Sequence, residues 1–399
     1  GGAQQAISDT NSAFGCGAGF DSASIDCAIS GVNNGGTGAT MTDYAGFGLG
    51  ASADLGVGCN QDPTLLGLGH PCAFGGTNRN QASFFMLQPV GRSVYNALQM
   101  KLSQNMTNPF RGVKAVNFQV SYSLSRFSNS GGLQLTGTPP DSDQDFVLQT
   151  ADNNKPGRYF GPALLDRTHQ ISFGGYVDVP GGFRLGLISH FYSPLSSAIV
   201  APNFGDPGEI FRTDFTGDGT FGDPLPGTHL GQFDRGTNAS GLNNLITKYN
   251  NTTANQATPA GQVLIKNNLM TLAQLQALGG VAPTIDLAPP GQVDFSWLRA
   301  LDLKLSWKHT FSERFTIEPS VGFYNLPNFS NFNLPPNTMN GLLFGSGSGA
   351  INGTTPGGGK CDPNDPNACG NNAFRVGNGT GVYSLGAQRQ LEFGFRFTF

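Results

Sequence analysis

The residues of this chain with the capacity for chemistry are few: one acidic loop, six cysteines and some scattered histidines. Asp214, Thr216, Asp218 and Asp223 fall within ten residues, with Gly219 directly after the third. Oxygen-bearing side chains at positions 1, 3 and 5, followed by glycine at 6, let a tight loop turn several oxygens onto one hard cation such as Ca2+. Position 12 is Leu225 rather than an acid, so this is not the helix-flanked calcium hand. Asx-turns, in which each Asp accepts from the backbone just ahead of it, explain the same spacing without a metal. No cofactor is expected beyond a structural Ca2+ at this loop.

Cys16, Cys27, Cys59, Cys72, Cys361 and Cys369 have neither CxxC spacing nor a histidine close by, so a metal cage is not indicated. Local disulfides of an oxidising compartment fit better. Cys361 and Cys369 flank a segment rich in Asp, Pro and Asn that brings its ends together, and these two are expected to pair. Free thiols are the alternative, and the pairing among the other four is open. Asp166, His169 and Ser172 carry the residue types of a catalytic triad without a nucleophile elbow, so hydrogen bonds at a strand mouth are the simpler reading. His190 and His309 stand isolated on strands. With no phosphate loop and no HExxH, an enzyme is not expected.

The elements that position these residues are strands. In residues 391–399, Leu391, Phe393, Phe395, Phe397 and Phe399 alternate with Glu392, Gly394, Arg396 and Thr398. A strand turns successive side chains to opposite faces, so one face is wholly apolar and the other polar. The pattern recurs at 116–124, 171–179, 183–191, 301–307 and 315–324, and more weakly at Leu98, Met100 and Leu102. About seven strands result. Short connections, around Asn108-Pro109-Phe110, Pro180-Gly181-Gly182 and 311–314, alternate strictly with long ones. A soluble sandwich has short loops at both ends, whereas a transmembrane barrel has short turns at one end and long loops at the other. Parity puts Phe399 at the short-turn end. The fold expected is therefore all-β: part of an antiparallel transmembrane β-barrel, with residues 1–91 as an outer loop region and 92–399 as barrel. Its long outer loops are expected at about 127–167, 194–297 and 326–386. A single helix is expected in the longest loop, where Thr271 and Gln274 form a capping box and Gly279-Gly280 a stop. Trp307, Phe311 and Phe315 near a short turn suggest an interfacial aromatic girdle, or else the cover of a small core.

Composition agrees. Only 12% of the 399 residues are charged, about half the usual share, while Phe numbers 31 and Gly 58. The net charge of −4, with no basic stripe, sets nucleic acid aside as a partner. No apolar run is long enough for a transmembrane helix. Starting at Gly1 without Met and without a signal peptide, the chain is expected to be a fragment or processed product.

Several ordered segments resemble the C-terminal barrel of TonB-dependent receptors, in the branch with a carboxypeptidase-regulatory-like domain. They are Ser93-Val-Tyr-Asn-Ala-Leu-Gln99, Gln119-Val-Ser-Tyr-Ser-Leu-Ser125, Leu165-Asp-Arg-Thr-His169, Asp214-Phe-Thr-Gly-Asp-Gly219, Phe323-Tyr-Asn-Leu-Pro-Asn-Phe329 and the closing 391–399. The likeness covers about residues 82–399. It implies a bacterial outer-membrane location, energised uptake of a nutrient by the intact parent, and partnership with outer-membrane lipid, a plug domain, the TonB complex and the outer-membrane assembly machinery. It also implies that Phe393, Phe395, Phe397 and Phe399 form the insertion signal. The family's plug and TonB-contacting segment are missing from these residues, and its barrels have about 22 strands. A passive porin or a surface adhesin on the same fold is the rival reading, and a secreted β-rich protein a third.

Overall fold

The computed structural model describes residues 2–51, 72–74, 89–130, 152–163, 166–196, 199–201, 207–220, 223–229, 231–232, 239–287, 297–311, 315–331 and 385–399. Nine strands form one sheet: β1 (Ser93–Phe110), β2 (Val113–Asn129), the two-residue β3 (Gly161–Pro162), β4 (His169–Asp178), β5 (Phe183–Tyr192), β6 (Leu298–Trp307), the short β7 (His309–Phe311), β8 (Phe315–Tyr324) and β9 (Gln390–Thr398). Every pairing is antiparallel, in the order β1-β2-β4-β5-β6-β8-β9. β7 extends β6 along β8, and β3 pairs with the far end of β2. All seven strands read from the period of two are present. The sheet is open, with β1 and β9 at its edges.

β1 and β2 are joined through Arg111 and Gly112, with a register shift between Thr107 and Phe110 where Asn108 takes a left-handed conformation (φ 53°). β4 and β5 are joined through Gly181 and Gly182, both at positive φ. Gly182 has a second reason to lack a side chain: a Cβ there would run into the carbonyl of Lys308, whose own N–H donates to the Gly182 carbonyl at 2.8 Å. The connections at the other end of the sheet, 130–168, 193–297 and 325–389, are all long.

The sheet has almost no core of its own. Among the described residues, Leu298 and Ala300 of β6 and Pro162 of the short β3 are the buried apolar residues of its strands, whereas Phe393 is 81% exposed and Leu102 59%. The buried core lies instead in a helical cap made from loop sequence. Its elements are α1 (Gly2–Ala13), α2 (Ser22–Ser30), α3 (Met41–Tyr44), α4 (Ala239–Thr252), α5 (Pro259–Lys266) and α6 (Leu272–Ala277). Ile7, Ile25, Met41, Tyr44 and Leu49 pack with Ile210, Phe211, Leu264 and Leu275, so segments over 200 residues apart share one core. A second cluster joins Ile199, Leu225 and Ile285 to Leu242, Ile246 and Tyr249 of α4.

The expected helix at Thr271 is α6, with both halves of its capping box formed. The expectation of one helix falls short, because among the described residues three α-helices occupy that loop and three more lie in the first 51 residues. The apolar stripe of α1 rests on Ala6 and Ile7 among Gln, Ser and Asn, which reads as loop until its distant partner is known.

Cys16 and Cys27 form a disulfide between the end of α1 and α2, and Cys72 is disulfide-bonded as well. Cys361 and Cys369 lie outside the described residues. Changing Cys16 and Cys27 together to serine should destabilise the cap by about 2–3 kcal/mol, because the bond closes a short loop in the unfolded chain. The check is the urea midpoint for loop proteolysis in oxidising buffer, which should be lower for the double variant than for the native chain, and reductant should shift the native chain by more than the double variant, where the Cys72 disulfide still responds.

Candidate functional site

Directly paired residues in neighbouring strands share a face, so the register defines two surfaces. One row runs Gln104, Phe118, Gly175, Leu187, Leu303, Phe323, Leu391. The next on that face runs Met106, Val116, Val177, Leu185, Leu305, Val321, Phe393. Between them, on the opposite face, lies Asn105, Asn117, Tyr176, Gly186, Lys304, Gly322, Glu392. The following row of that polar face holds Asp178, Arg184, Ser306, Ser320 and Gly394, and Glu318 faces Arg396 beyond it. Asp302, Lys304, Glu318, Glu392 and Arg396 thus occupy the polar face as their sequence period requires.

Aromatic residues bracket the apolar face. At the short-turn end Phe183, Trp307, His309 and Phe311 form a chain of ring contacts at 4.4–6.2 Å, and Phe315, Phe397 and Phe399 form another at 5.9 Å. Trp307 Nε1 donates to the Gly181 carbonyl at 2.8 Å, tying the ring to the β4–β5 turn. Trp307, Phe311 and Phe315 are brought together at this end: Phe311 faces Phe315 across the β7–β8 ladder, and His309 links Trp307 to Phe311. A second belt at the long-loop end, absent from the sequence reading, stacks Tyr122, His169 and Trp297 at 6.0–6.2 Å. Tyr122 continues the apolar period of β2, which was the available signal.

The polar face is laced by hydrogen bonds. Arg184 makes a two-pronged pair with Asp178 at 2.6 and 2.9 Å and lies over the Tyr176 ring at 4.2 Å. Ser172, His190 and Tyr192 form a triangle at 3.0–3.1 Å, and Tyr324 donates to Glu392 at 2.5 Å. Asp166, His169 and Ser172 do not meet. Asp166 accepts from the Phe127 N–H, His169 Nδ1 bonds the Tyr122 hydroxyl, and Ser172 reaches His190 from another strand.

The acidic loop is wound around its own carboxylates. Asp214 Oδ1 accepts from Gly217 N at 2.6 Å and from Thr216 Oγ1 at 3.3 Å, and its Oδ2 accepts from Gly219 N at 2.9 Å. Asp223 Oδ2 accepts from Phe215 N and Thr216 N at 2.8 Å each. Asp218 accepts from Thr220 and from the N–H of Asn153, 65 residues earlier. The bonds of Asp214 to Gly217 and Gly219 and of Asp218 to Thr220 N run ahead along the chain as the Asx reading expects, whereas those of Asp223 and the one from Asn153 close the loop over longer separations. Among the described residues no group of three or more His, Cys, Asp or Glu is placed to hold a metal ion. Burial raises both Asp214 and Asp223, the latter to about 8 with the Asp214 charge adding to it.

A buried cap, an exposed apolar face between aromatic belts and a charged opposite face describe a membrane barrel wall. The family model for an outer membrane beta barrel domain matches residues 60–357, roughly three quarters of the chain. The chain belongs to that family. This outer-membrane barrel chain is a protein of the bacterial outer membrane. It is also similar to the crystal structure of the outer membrane transporter YddB from Escherichia coli, with 12% identity and a TM-score of 0.28 over 60% of this chain. The barrel chain spans 22% of that transporter's length. No curated protein matches it.

Proposed function

We propose that this chain is the C-terminal arc of a TonB-dependent receptor barrel, whose intact parent imports a nutrient using energy passed from the inner membrane. The observation that carries this reading is the polar face. Its rows interleave Gly174, Gly186, Gly322 and Gly394 with Lys304, Glu318, Glu392 and Arg396, and such small and charged groups cannot fill a dry barrel interior. They suit a wide lumen holding water or a plug. The apolar face meets outer-membrane lipid. The cap and the connections at 130–168, 193–297 and 325–389 face the exterior, where substrate arrives. The plug, the TonB complex and the assembly machinery are the partners in this reading, and the role is transport rather than catalysis.

The test uses the intact protein in planar bilayers. A plugged receptor passes little steady current until urea loosens the plug, and its uptake in cells stops when TonB is removed. A passive porin conducts steadily without urea, and an adhesin supports neither conductance nor uptake. Steady conductance, or uptake indifferent to TonB, would overturn the proposal.

A further inference from the structure

The ladder between β6 and β8 stops at Leu303 and Phe323, leaving Leu298–Asp302 of β6 without β8 partners. The edge does not go unsatisfied. Beyond Tyr324 the chain turns back through Asn325 and Asn328, both in the left-handed region (φ 46° and 56°). Asparagine tolerates that conformation better than other residues with a side chain. Leu326 N donates to the Leu301 carbonyl at 2.8 Å. Asn331 then imitates a ladder residue with its side chain: its Oδ1 accepts from Arg299 N at 2.7 Å and its Nδ2 donates to the Arg299 carbonyl at 2.8 Å. The Arg299 guanidinium lies over the Phe329 ring at 5.0 Å.

The same asparagines hold the approach to β9. Asn325 Nδ2 donates to the Ala387 carbonyl at 2.8 Å, Asn331 Nδ2 to the Gly386 carbonyl at 3.3 Å, and Asn328 Oδ1 accepts from Arg389 N at 3.2 Å. Asn325 closes its own turn through both the N–H and the carbonyl of Phe329, and its backbone N–H donates to Asp302 at 2.7 Å. Asn325 and Asn331 are almost wholly buried, at 3% and 1% exposed.

We propose that Asn325, Asn328 and Asn331 form a register clamp that sets β9 on β8 and ties both to β6 at the long-loop rim. The need is physical. β8 and β9 are joined only through residues 325–389, so no tight turn fixes their register as Gly181 and Gly182 do for β4 and β5. A slip of two residues would keep the apolar and polar faces of β9 intact, so face burial alone cannot reject it. Side-chain amides anchored on named carbonyls can. The role is one of assembly, and it belongs to the motif at 323–331 whether or not the barrel serves transport.

Register can be read by cross-linking in the full chain inserted in the outer membrane. A Cβ built on Gly322 lies 3.7 Å from the Glu392 Cβ, within disulfide reach. Gly322→Cys with Glu392→Cys should therefore bond, and Gly322→Cys with Gly394→Cys, the two-residue slip, should not. Adding Asn325→Ala and Asn331→Ala should lower the first yield at least about fivefold relative to the second, the smallest factor expected when buried backbone groups lose partners. If that chain fails to insert, the exposed Asn328, whose Oδ1 accepts from Arg389 N, supplies the milder variant: Asn328→Ala should insert and show a smaller change of the same sign. An unchanged ratio of the two cross-links in the clamp variants that insert overturns the proposal.

Discussion

Leu187→Arg lowers the stability of the inserted barrel by about 2–4 kcal/mol, whereas Gln119→Arg leaves it within about 0.5 kcal/mol. Leu187 lies midway along β5, four residues from Phe183 in the lower aromatic belt, and its row-mates Leu303, Phe323 and Leu391 are all apolar. An arginine there must be taken from water into hydrocarbon near the middle of the membrane, with no acidic residue in its own row. Gln119 lies on the other face of β2, paired with Ser103 and Gly174 and exposed, so an arginine there stays in the polar lumen. Phe395→Asp in β9 should act like Leu187→Arg to a smaller extent, since carboxylates cost less than basic groups at that depth. Deleting Phe399, whose ring packs on Phe397, should reduce assembly while leaving the β8–β9 ladder in place. The measurement is the heat-modifiable folded fraction in lipid as a function of urea. Equal midpoints for Leu187→Arg and Gln119→Arg would mean that the two faces are not lipid and lumen.

The two faces were legible in the sequence because a strand writes its environment in steps of two, and no tertiary information is needed to read it. β1 was the weak case. Its alternation at Leu98, Met100 and Leu102 is interrupted on the same face by Asn96 and Gln104, so its full extent from Ser93 to Phe110 shows only through its pairing with β2. The helical cap was mostly illegible. α6 announces itself through a local device, the Thr271–Gln274 box, but α2 is held by Gln274 reaching Ser22 and Asp26 across some 250 residues, and α1 contributes Ala6 and Ile7 to the same distant core. Composition alone cannot reveal a helix whose apolar partners are so far along the chain. The register clamp was half legible. The motif at 323–329 stood out, yet its function depends on where β6 ends and β9 begins. In the acidic loop, the spacing of Asp214, Thr216 and Asp218 was visible, while the N–H of Asn153 on Asp218 was not.

That loop makes a prediction about pH. Asp223 is 1% exposed; burial, and then the neighbouring Asp214 charge, raise its carboxyl from an ordinary 3.8 to about 8, against the pull of the Thr216 N–H. Asp214 moves in the same direction, with burial the larger cause and the Gly219 and Gly217 N–H groups opposing it. Between pH 4 and 8 the unfolded chain has released protons that the folded loop retains, so the loop is most stable below the ordinary carboxyl value and loses stability as pH rises towards 8. Four units at about 1.4 kcal/mol each set an upper bound on the order of 5 kcal/mol for Asp223, and relaxation of the loop reduces it. Asp223→Asn keeps an oxygen for the Phe215 and Thr216 N–H groups and removes the charge. It should raise the urea midpoint for proteolysis of the loop at pH 8, leave it nearly unchanged at pH 4, and flatten the slope between them. Arg158, bonded to Asp152 at 3.2 Å, also feels the Asp223 charge, but burial and the Asp214 charge are the larger influences on Asp223. Millimolar Ca2+ provides the complementary reading: a midpoint that rises at pH 8 only when calcium is added would show the carboxylates ionised around a cation. A midpoint that stays level or climbs from pH 4 to 8 in calcium-free buffer would show that Asp223 is not held protonated by its burial.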